Sequence, residues 1–303
     1  MTQEVVDTFQ LSMNGKKVIA PLHVGFAYTK PLAVVGNILD KENGYLTLLS
    51  TATRRPIDIV EISCPGARDA MFNMDDSKIF TTCQQEPKGM AVIDVEARKE
   101  IKMVPIKGGR AGGMDPQGKY FMVSASKSVH FFDSQTAELV KTIKVPGGGG
   151  NFTCLKDGSK CYVGLRKANA VGVIDMAKLE LMKTIETGPD ANRLYLNPGN
   201  SRYGLFANEA GKSDIVSIID TQLDVKVKDI WTGLGPHNVA FDPDGKFAVI
   251  STKKENVATL VDTGSADPND WDVITTDLDS GIQNNGVRWV PSPAALKKAL
   301  AQN

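Results

Sequence analysis

The sequence lacks the features that mark membrane proteins, nucleic-acid-binding proteins and proteins that carry a secretory leader. No apolar run approaches the roughly 18 residues of a membrane helix. Thirty-five basic and 35 acidic residues cancel over 303 positions, so there is no net basic field to attract nucleic acid or anionic lipid. A basic segment followed by an apolar one is missing from the N-terminus. We therefore expect a cytoplasmic protein with neither nucleic-acid nor membrane partners; a mature exported form is the alternative.

Cysteine is scarce, with four residues, and no Cys-x-x-Cys pair occurs. Cys64 and Cys83 lack metal-site spacing, and without Cys-x-x-Cys-His there is no attachment site for a c-type heme. Cys154 and Cys161 flank a predicted turn symmetrically. This leaves a cross-strand disulfide open, but two buried thiols are the favoured interpretation. Gly-x-Ser-x-Gly, P-loop and dinucleotide glycine patterns are also absent, which argues against a serine triad and against nucleotide chemistry.

The sequence contains instead one structural unit that is repeated along the chain and is clearest over residues 233–265. Val239–Phe241 alternates like a short strand, and Asp242–Gly245 is a tight turn in which proline fixes φ and glycine is free to adopt a positive φ. Three further strands follow at Phe247–Ser251, Val257–Val261 and Trp271–Thr275. Four antiparallel strands in about forty residues predict one blade of a β-propeller.

The turn and the end of the third strand recur at regular positions. Related turns lie at residues 74–78, 115–119, 156–160 and 197–201. The third strand ends in aspartate at Asp94, Asp133, Asp175, Asp220 and Asp262, at spacings of 39, 42, 45 and 42 residues, and Ser50 lies one period upstream. Because they repeat, these aspartates are interpreted as turn residues. A period of about 43 residues indicates about seven units. We predict an all-β, seven-bladed β-propeller of four-stranded antiparallel blades, in a single domain over residues 1–303.

The two ends of the chain carry complementary fragments of a blade. Glu4–Leu11 and Lys17–Ala20 are strand-like, and residues 286–291 match a first strand and the start of its turn. We expect the N-terminal strand to complete the last blade, which closes the ring and leaves no unpaired edge. Residues 292–300 predict a short C-terminal helix, with proline at its first position.

The run Gly-Pro-His-Asn-Val-Ala-Phe-Asp-Pro-Asp-Gly-Lys at residues 235–246, with its apolar-apolar-Asp-Thr ending, closely resembles the YVTN repeat of surface-layer and lactonase-like propellers. The resemblance covers most of the chain as a repeat and is strongest in the third and sixth blades. The Gly-His and Trp-Asp signatures of WD40 blades are missing. Propellers of the resembled kind include lyases, lactonases, heme-handling proteins and plain binding modules, so the resemblance implies the fold and leaves several functions open.

In propellers, the first strand of each blade begins at the mouth of the central channel. Counting back four residues from the residue before each turn gives one position per blade. These positions are His23, Arg68, Arg110, Asn151, Asn192, His237 and Asn285, with Arg193 adjacent. Strict counting gives Asp69 in the second blade, but Arg68 is preferred because residues 66–68 then match residues 108–110. None of these residues is apolar, although a purely structural position would accept an apolar side chain.

Two arginine forks and several asparagine amides around one opening are suited to a carboxylate or phosphate. A neutral histidine beside them can act as a general acid or base near pH 7. We predict that a small anionic substrate is bound by Arg68, Arg110, Asn151, Asn192, Arg193 and Asn285, and is transformed by His237 and His23. The enzyme would be a lyase, hydrolase or isomerase. No particular cofactor is predicted; a divalent metal shared by His23 and His237 is a weaker version that needs Asp69 as a third ligand.

These residues also have structural interpretations. The two arginines would form a clasp between blades by pairing with Asp69, Asp190 or Glu61. His237 would hydrogen-bond a neighbouring blade, His23 would be a surface or turn residue, and the asparagines would bond local backbone. His130, in a predicted third strand, is interpreted as structural. The rival function is a non-catalytic propeller that binds another protein through its faces. An electron-transfer or heme-carrying role comes third.

Overall fold

The computed structural model describes residues 8–279, apart from residues 14, 17, 19, 20, 39, 40, 43 and 256. These residues form six antiparallel sheets of four strands each, and within each sheet the four strands are consecutive in sequence. The sheets, called sheets 1 to 6 below, correspond in order to six of the predicted blades.

The strand bounds follow the chain in groups of four. Sheets 1 to 3 contain β1 (Pro21–Phe26), β2 (Leu32–Asn37), β3 (Gly44–Ser50), β4 (Arg55–Ile62), β5 (Met71–Phe72), β6 (Lys78–Cys83), β7 (Gly89–Asp94), β8 (Lys99–Pro105), β9 (Ala111–Met114), β10 (Tyr120–Ser124), β11 (Ser128–Asp133) and β12 (Leu139–Lys144). Sheets 4 to 6 contain β13 (Phe152–Cys154), β14 (Lys160–Leu165), β15 (Ala170–Asp175), β16 (Glu180–Glu186), β17 (Ala191–Leu196), β18 (Tyr203–Asn208), β19 (Ile215–Asp220), β20 (Val225–Trp231), β21 (Pro236–Phe241), β22 (Phe247–Thr252), β23 (Val257–Asp262) and β24 (Asp272–Asp279).

The turn between the first and second strands forms where the sequence predicts it. In sheet 6 the Gly245 N–H donates to Asp242 O at 3.0 Å, and the Phe247 N–H donates to Asp242 Oδ1 at 2.8 Å. Gly245 has a φ of +70°, which glycine adopts without steric cost. Asp115 closes the turn of sheet 3 in the same way, with Gly118 at its end. One side chain thus closes the turn and fixes the start of the second strand.

The aspartate at the end of each third strand organises the next turn. Asp133 Oδ1 accepts the N–H groups of Gln135 at 2.9 Å and Thr136 at 2.8 Å. Equivalent bonds are made by Asp94, Asp175, Asp220 and Asp262. In sheet 1, Ser50 Oγ takes this role and accepts the Thr53 N–H at 3.2 Å. These side chains thus stabilise local backbone turns, as their repetition indicates.

Sheet 2 departs from the turn pattern at Asp76, which takes the place of the turn glycine. Its N–H donates to Asn73 O at 3.0 Å, and its φ is +56°. Its buried carboxylate accepts the backbone N–H groups of Tyr28, Thr29 and Lys30, in the loop after β1, at 2.6 to 3.0 Å. Burial alone would raise the pKa of Asp76, but these hydrogen bonds outweigh it and lower the pKa. At Asp76 an unfavourable backbone conformation is thus combined with hydrogen bonds that link sheet 2 to sheet 1.

Apolar side chains fill the space between neighbouring sheets. Phe80 and Phe121 stack between sheets 2 and 3, with ring centroids 5.1 Å apart. Tyr203 and Trp271 meet edge to face between sheets 5 and 6, at 6.0 Å. Each large apolar side chain that is fully buried contributes roughly 1.5–3 kcal/mol. Because the central strands are covered on both faces, they are almost continuously apolar rather than alternating.

Both cysteine pairs are joined as disulfides. Cys64, which follows β4, bonds Cys83 at the end of β6. Cys154 of β13 bonds Cys161 of β14, and the two residues lie directly opposite each other in the hairpin. The interpretation of Cys154 and Cys161 as buried thiols is therefore wrong, because the cross-strand register brings their sulfur atoms together.

The chain divides into two compact units, Thr8–Thr184 and the residues from Ile185 onward, so the single domain over residues 1–303 stays a prediction. The helices of the described part are two 3-10 turns, Arg166–Ala168 and Pro268–Asp270. No helix in that part has the length and apolar character to cross a membrane. The predicted seventh blade, its closure and the C-terminal helix fall mainly on residues outside the described ones.

Candidate functional site

Backbone hydrogen bonds relate the first-strand positions of sheets 2, 3 and 4. The N–H of each position donates to a carbonyl of the second strand: Arg68 to Thr82 at 2.8 Å, Arg110 to Ser124 at 3.0 Å, and Gly150 to Gly164 at 3.0 Å. This register makes Arg68, and not Asp69, the equivalent of Arg110. In sheet 4 the equivalent residue is Gly150, and Asn151 follows it.

The corresponding positions in sheets 1, 5 and 6 lie at irregularities of the first strand. The register shifts between Pro21 and Val24, between Ala191 and Arg193, and between Pro236 and Val239. These shifts surround His23, Asn192 and His237, and a bulge re-aims a side chain out of the strand's alternation. His23 also has a φ of +24°, which is sparsely populated by residues other than glycine. Such irregularities concentrate at functional sites.

In the Thr8–Thr184 unit, the site is built around the buried carboxylate of Asp69. Its Oδ1 lies 2.8 Å from His23 Nδ1, and its Oδ2 accepts the Gly112 N–H at 2.9 Å. Arg68 NH1 lies 3.5 Å from the same Oδ2. The Asp69 side chain is only 3% exposed, whereas that of His23 is 36% exposed. A charged group in sheet 2 is thus held by sheets 1, 2 and 3.

The Arg68 side chain is buried, and only part of its guanidinium group has hydrogen-bond partners. Its NH2 donates to Asn151 Oδ1 at 3.1 Å, which brings the predicted residues of sheets 2 and 4 together. Its NH1 is buried and has no hydrogen-bond partner, since its contact with Asp69 is ionic and poorly aligned. A buried guanidinium N–H without an acceptor is costly. This atom is therefore the natural point of attachment for an added anionic or carbonyl oxygen.

The electrostatics keep Asp69 ionised. Burial alone would raise the pKa of Asp69, but the Arg68 charge and the hydrogen bonds from His23 and Gly112 outweigh it and lower the pKa. An ionised carboxylate only accepts hydrogen bonds, so His23 Nδ1 carries the proton. In the neutral ring this leaves Nε2 with a lone pair. A histidine that is oriented by a buried carboxylate and partly exposed has the arrangement of a general base.

Arg110 makes a different contact. Its NH1 donates to Gly149 O at 2.9 Å, and its own carbonyl accepts from Gln84 Nε2 at 3.5 Å. The side chain therefore bridges sheet 3 to the loop that precedes sheet 4.

In the unit from Ile185 onward, the buried carboxylate of Glu209 gathers Asn192, His237 and Lys253. Asn192 Nδ2 donates to Glu209 Oε1, and His237 Nε2 lies 3.1 Å from the same oxygen. Lys253 Nζ lies 3.2 Å from Oε2. Both oxygens of the carboxylate are therefore occupied. The result resembles the Asp69 cluster in composition, but the histidine is held differently.

His237 uses both of its ring nitrogens. Its Nδ1 lies 3.2 Å from Asn238 Nδ2, an amide donor, so Nδ1 is the acceptor and Nε2 donates to Glu209. The Asn238 amide is itself fixed, because Tyr195 OH donates to its Oδ1 at 2.5 Å. A polar group thus lies beside each nitrogen of the His237 ring. Its geometry suits a proton-transfer role less well than that of His23.

The remaining predicted residues take other places. The Arg193 guanidinium lies 5.3 Å from the Tyr195 ring centroid, a cation–π contact, and its buried Nε has no hydrogen-bond partner. Asn285 lies outside the described residues. His130 sits between the hydroxyls of Ser128 and Thr142 on the sheet, and burial lowers its pKa.

Sequence reasoning missed Glu209 and Lys253, and it considered Asp69 as an alternative ring position, a clasp partner or a metal ligand but not as the carboxylate that orients His23. Glu209 directly follows the buried strand β18 rather than starting a first strand, so the counting rule passes over it. Its signal is a lone acidic residue beside a run of buried positions, which usually has a cationic partner. Among the described residues, no group of three or more His, Cys, Asp or Glu side chains could hold a metal ion.

No protein-family model matches the chain, and no curated protein matches it either. In structure the chain is similar to Kuenenia stuttgartiensis hydrazine synthase, with a TM-score of 0.67, 16% identity, and coverage of 92% of this chain and 93% of that one. It is also similar to the β-propeller domain of Cps50 (Swd1) from Myceliophteria thermophila, with a TM-score of 0.63, 13% identity, and coverage of 82% and 84%. At such identities the likeness shows the fold alone. The chain has a β-propeller fold, as its repeats predict.

Proposed function

We propose that this protein binds a small organic anion at the first-strand starts of sheets 1 to 4 and transforms it by acid–base chemistry, as a lyase, hydrolase or isomerase. His23 is the general acid or base, Asp69 orients it, and Arg68 holds the anion. The observation that carries the proposal is the 2.8 Å contact between His23 Nδ1 and the buried Asp69 carboxylate. Of the two histidines predicted to be catalytic, the proposal therefore assigns the proton transfer to His23 and not to His237.

The proton transfer follows from the tautomer. A substrate proton moves to His23 Nε2, and its electron pair stays on the substrate. The ring becomes an imidazolium, and the Asp69 carboxylate stabilises the new charge across the hydrogen bond at Nδ1. The proton then returns from Nε2 to the product or to the leaving group. Arg68 NH1, which has no hydrogen-bond partner, donates to the anion and fixes its orientation.

The experiment is a thermal-shift screen of small carboxylates and phosphate esters, followed by turnover assays on the molecules that bind. A ligand that binds only the native state raises the melting temperature. We expect His23→Ala to retain binding and to lose turnover by roughly 10²–10⁴-fold, whereas Arg68→Ala weakens binding. His130→Asn is the control and should change neither. Full turnover in His23→Ala would overturn the assignment.

A second candidate, a non-catalytic interaction propeller, is favoured by a repeated surface feature. In the fourth strands of sheets 2, 3 and 4, the residue before a lysine is apolar and about half exposed. These residues are Ile101, Val140 and Met182. The lysines next to two of them reach the following sheet, as in the 2.6 Å contact of Lys102 with Glu138. The structures similar in fold include one named as an enzyme and one named as a propeller domain. If no anion raises the melting temperature and an I101K/V140K/M182K variant changes the oligomeric state, this function replaces the first.

A further inference from the structure

The Cys64–Cys83 disulfide encloses the two residues on which the candidate site depends. Arg68 and Asp69 lie four and five positions after Cys64. Backbone bonds hold the same segment, since Gln84 N–H donates to Gly66 O at 3.0 Å and Arg68 N–H donates to Thr82 at 2.8 Å. Both cysteines are fully buried. The disulfide therefore joins the start of the segment to the end of β6 inside the core.

The strand that follows this segment is unusually short. β5 has two residues and pairs with β6 at two positions, whereas β9 pairs with β10 at four and β17 with β18 at five. The next shortest first strand, β13, has three residues and carries the other disulfide, Cys154–Cys161. Among the described first strands, the disulfides thus occur where backbone pairing is weakest. A short ladder of backbone hydrogen bonds does not fix the register of two strands, whereas a covalent link between them does.

We propose that the Cys64–Cys83 disulfide is a positioning element that holds Asp69 and Arg68 in place, so that the His23–Asp69 pair forms only in the oxidised protein. The inference rests on the proposed function for its significance, because it concerns the same site. Its geometry can be tested separately. Asp69 needs a fixed place because its partner, His23, lies on the adjacent sheet and 46 residues away in sequence.

The test compares the C64A/C83A variant with the matched C154A/C161A variant and with the native protein. Each protein is labelled with ¹⁵N-histidine, and the imidazole nitrogens are observed by two-dimensional NMR. The chain has three histidines, so each signal can be assigned by substitution. We expect native His23 and His23 in C154A/C161A to show the Nδ1–H tautomer with a carboxylate-bonded proton. In C64A/C83A this signal should be lost, while the His130 and His237 signals stay unchanged.

The outcomes separate the inference from the proposed function. If the His23 signal persists in C64A/C83A, the disulfide does not position the site, and the proposed function is unaffected. If native His23 lacks the Nδ1–H tautomer, the acid–base proposal itself fails. Loss of the signal in both double variants would mean that removing either disulfide disturbs the site, so the effect would not be specific to Cys64–Cys83, which also overturns the inference.

A second measurement covers the case in which C64A/C83A does not fold. The native protein is partly reduced with a phosphine, which is oxidised to phosphine oxide with oxygen from water, while the disulfide gains two electrons and two protons to give two thiols. Iodoacetamide then alkylates the free thiols, and peptide mass spectrometry gives the reduced fraction of Cys64. The His23 signal should fall in proportion to that fraction. A His23 signal that follows the reduction of Cys154 instead would contradict the inference.

Discussion

Asp76 has two opposed effects on the stability of the folded protein. Its positive φ is unfavourable for a residue with a Cβ, whereas its carboxylate accepts three backbone N–H groups from the loop after β1. Hydrogen bonds to a charged group contribute about 1.5–3 kcal/mol, against about 1–2 kcal/mol for left-handed backbone. We expect Asp76→Gly to destabilise despite the relieved backbone, by at least about 2 kcal/mol in urea unfolding. Asp157→Ala, at an exposed turn, is the control and should cost less.

The same residue predicts a pH dependence of stability. The folded-state pKa of Asp76 is lowered, so its contribution is fully present above the unfolded value of about 3.9 and is lost as the pH falls through the folded value. Asp76→Asn should therefore unfold at a lower urea concentration near pH 7, and the difference from the native protein should shrink in acid. An unchanged difference at low pH would show that the charge is not what stabilises the loop.

Arg68 and Arg110 occupy equivalent positions but should differ in stability effects. Arg68 is buried beside the Asp69 carboxylate, and breaking such a pair leaves an uncompensated charge at a cost of about 3–5 kcal/mol. Arg110 is only partly buried and donates to a backbone carbonyl, which predicts about 1 kcal/mol. Urea unfolding of Arg68→Ala and Arg110→Ala measures both. Sequence position alone predicts equal effects, so equal losses would contradict the structural distinction.

At this scale the sequence predicts local roles better than distant pairs. Asp133 and Asp242 bond to backbone within five residues, and that requirement recurs in most of the units, so the repeat reveals it. His23 and Asp69 meet across two sheets, which no local pattern records. Asp76 conceals the alignment of its own turn, because it stands where the turns of sheets 3, 4 and 6 have glycine. That single substitution explains the uncertainty between Arg68 and Asp69.

At the scale of the element, the turns between first and second strands can be compared through two glycines with the same φ of +70°. A Cβ at Gly158 would meet the flexible end of Gln117 at 2.8 Å, whereas at Gly245 it would come within 1.8 Å of Asn197 Oδ1. That Asn197 oxygen accepts the Gly199 N–H at 2.8 Å, so it cannot move freely. We expect Gly158→Ala to cost about 1–2 kcal/mol and Gly245→Ala clearly more. Urea unfolding of the two variants checks the order.

Strand positions follow from the sequence because turns and apolar runs bracket them, as at Phe247–Ser251, observed as Phe247–Thr252. Strand lengths do not. β5 and β13 are the shortest of the described first strands, and the disulfides near them pair cysteines through contacts across strands. The bulges at His23 and His237 accompany side-chain contacts with Asp69 and Glu209 on adjacent sheets, which no local sequence pattern records.

At the scale of the whole molecule, the cysteine chemistry is the most direct test. We expect the denatured native protein to show no free thiols and to show four after reduction, since both pairs are bonded. Ellman titration in guanidinium measures this. Disulfides persist in oxidising compartments, so full oxidation in protein from its natural source would favour the exported form over the cytoplasmic expectation. Four thiols before reduction would favour the cytoplasm.

Each described sheet joins only strands that follow one another in the chain. A strand therefore finds its partner across a short hairpin, and the sequence separation of its contacts stays small, which favours rapid pairing. During synthesis a sheet can form as soon as its fourth strand leaves the ribosome. The Asp76 carboxylate then finds the Tyr28–Lys30 loop already made, so assembly can proceed from the N-terminus one sheet at a time.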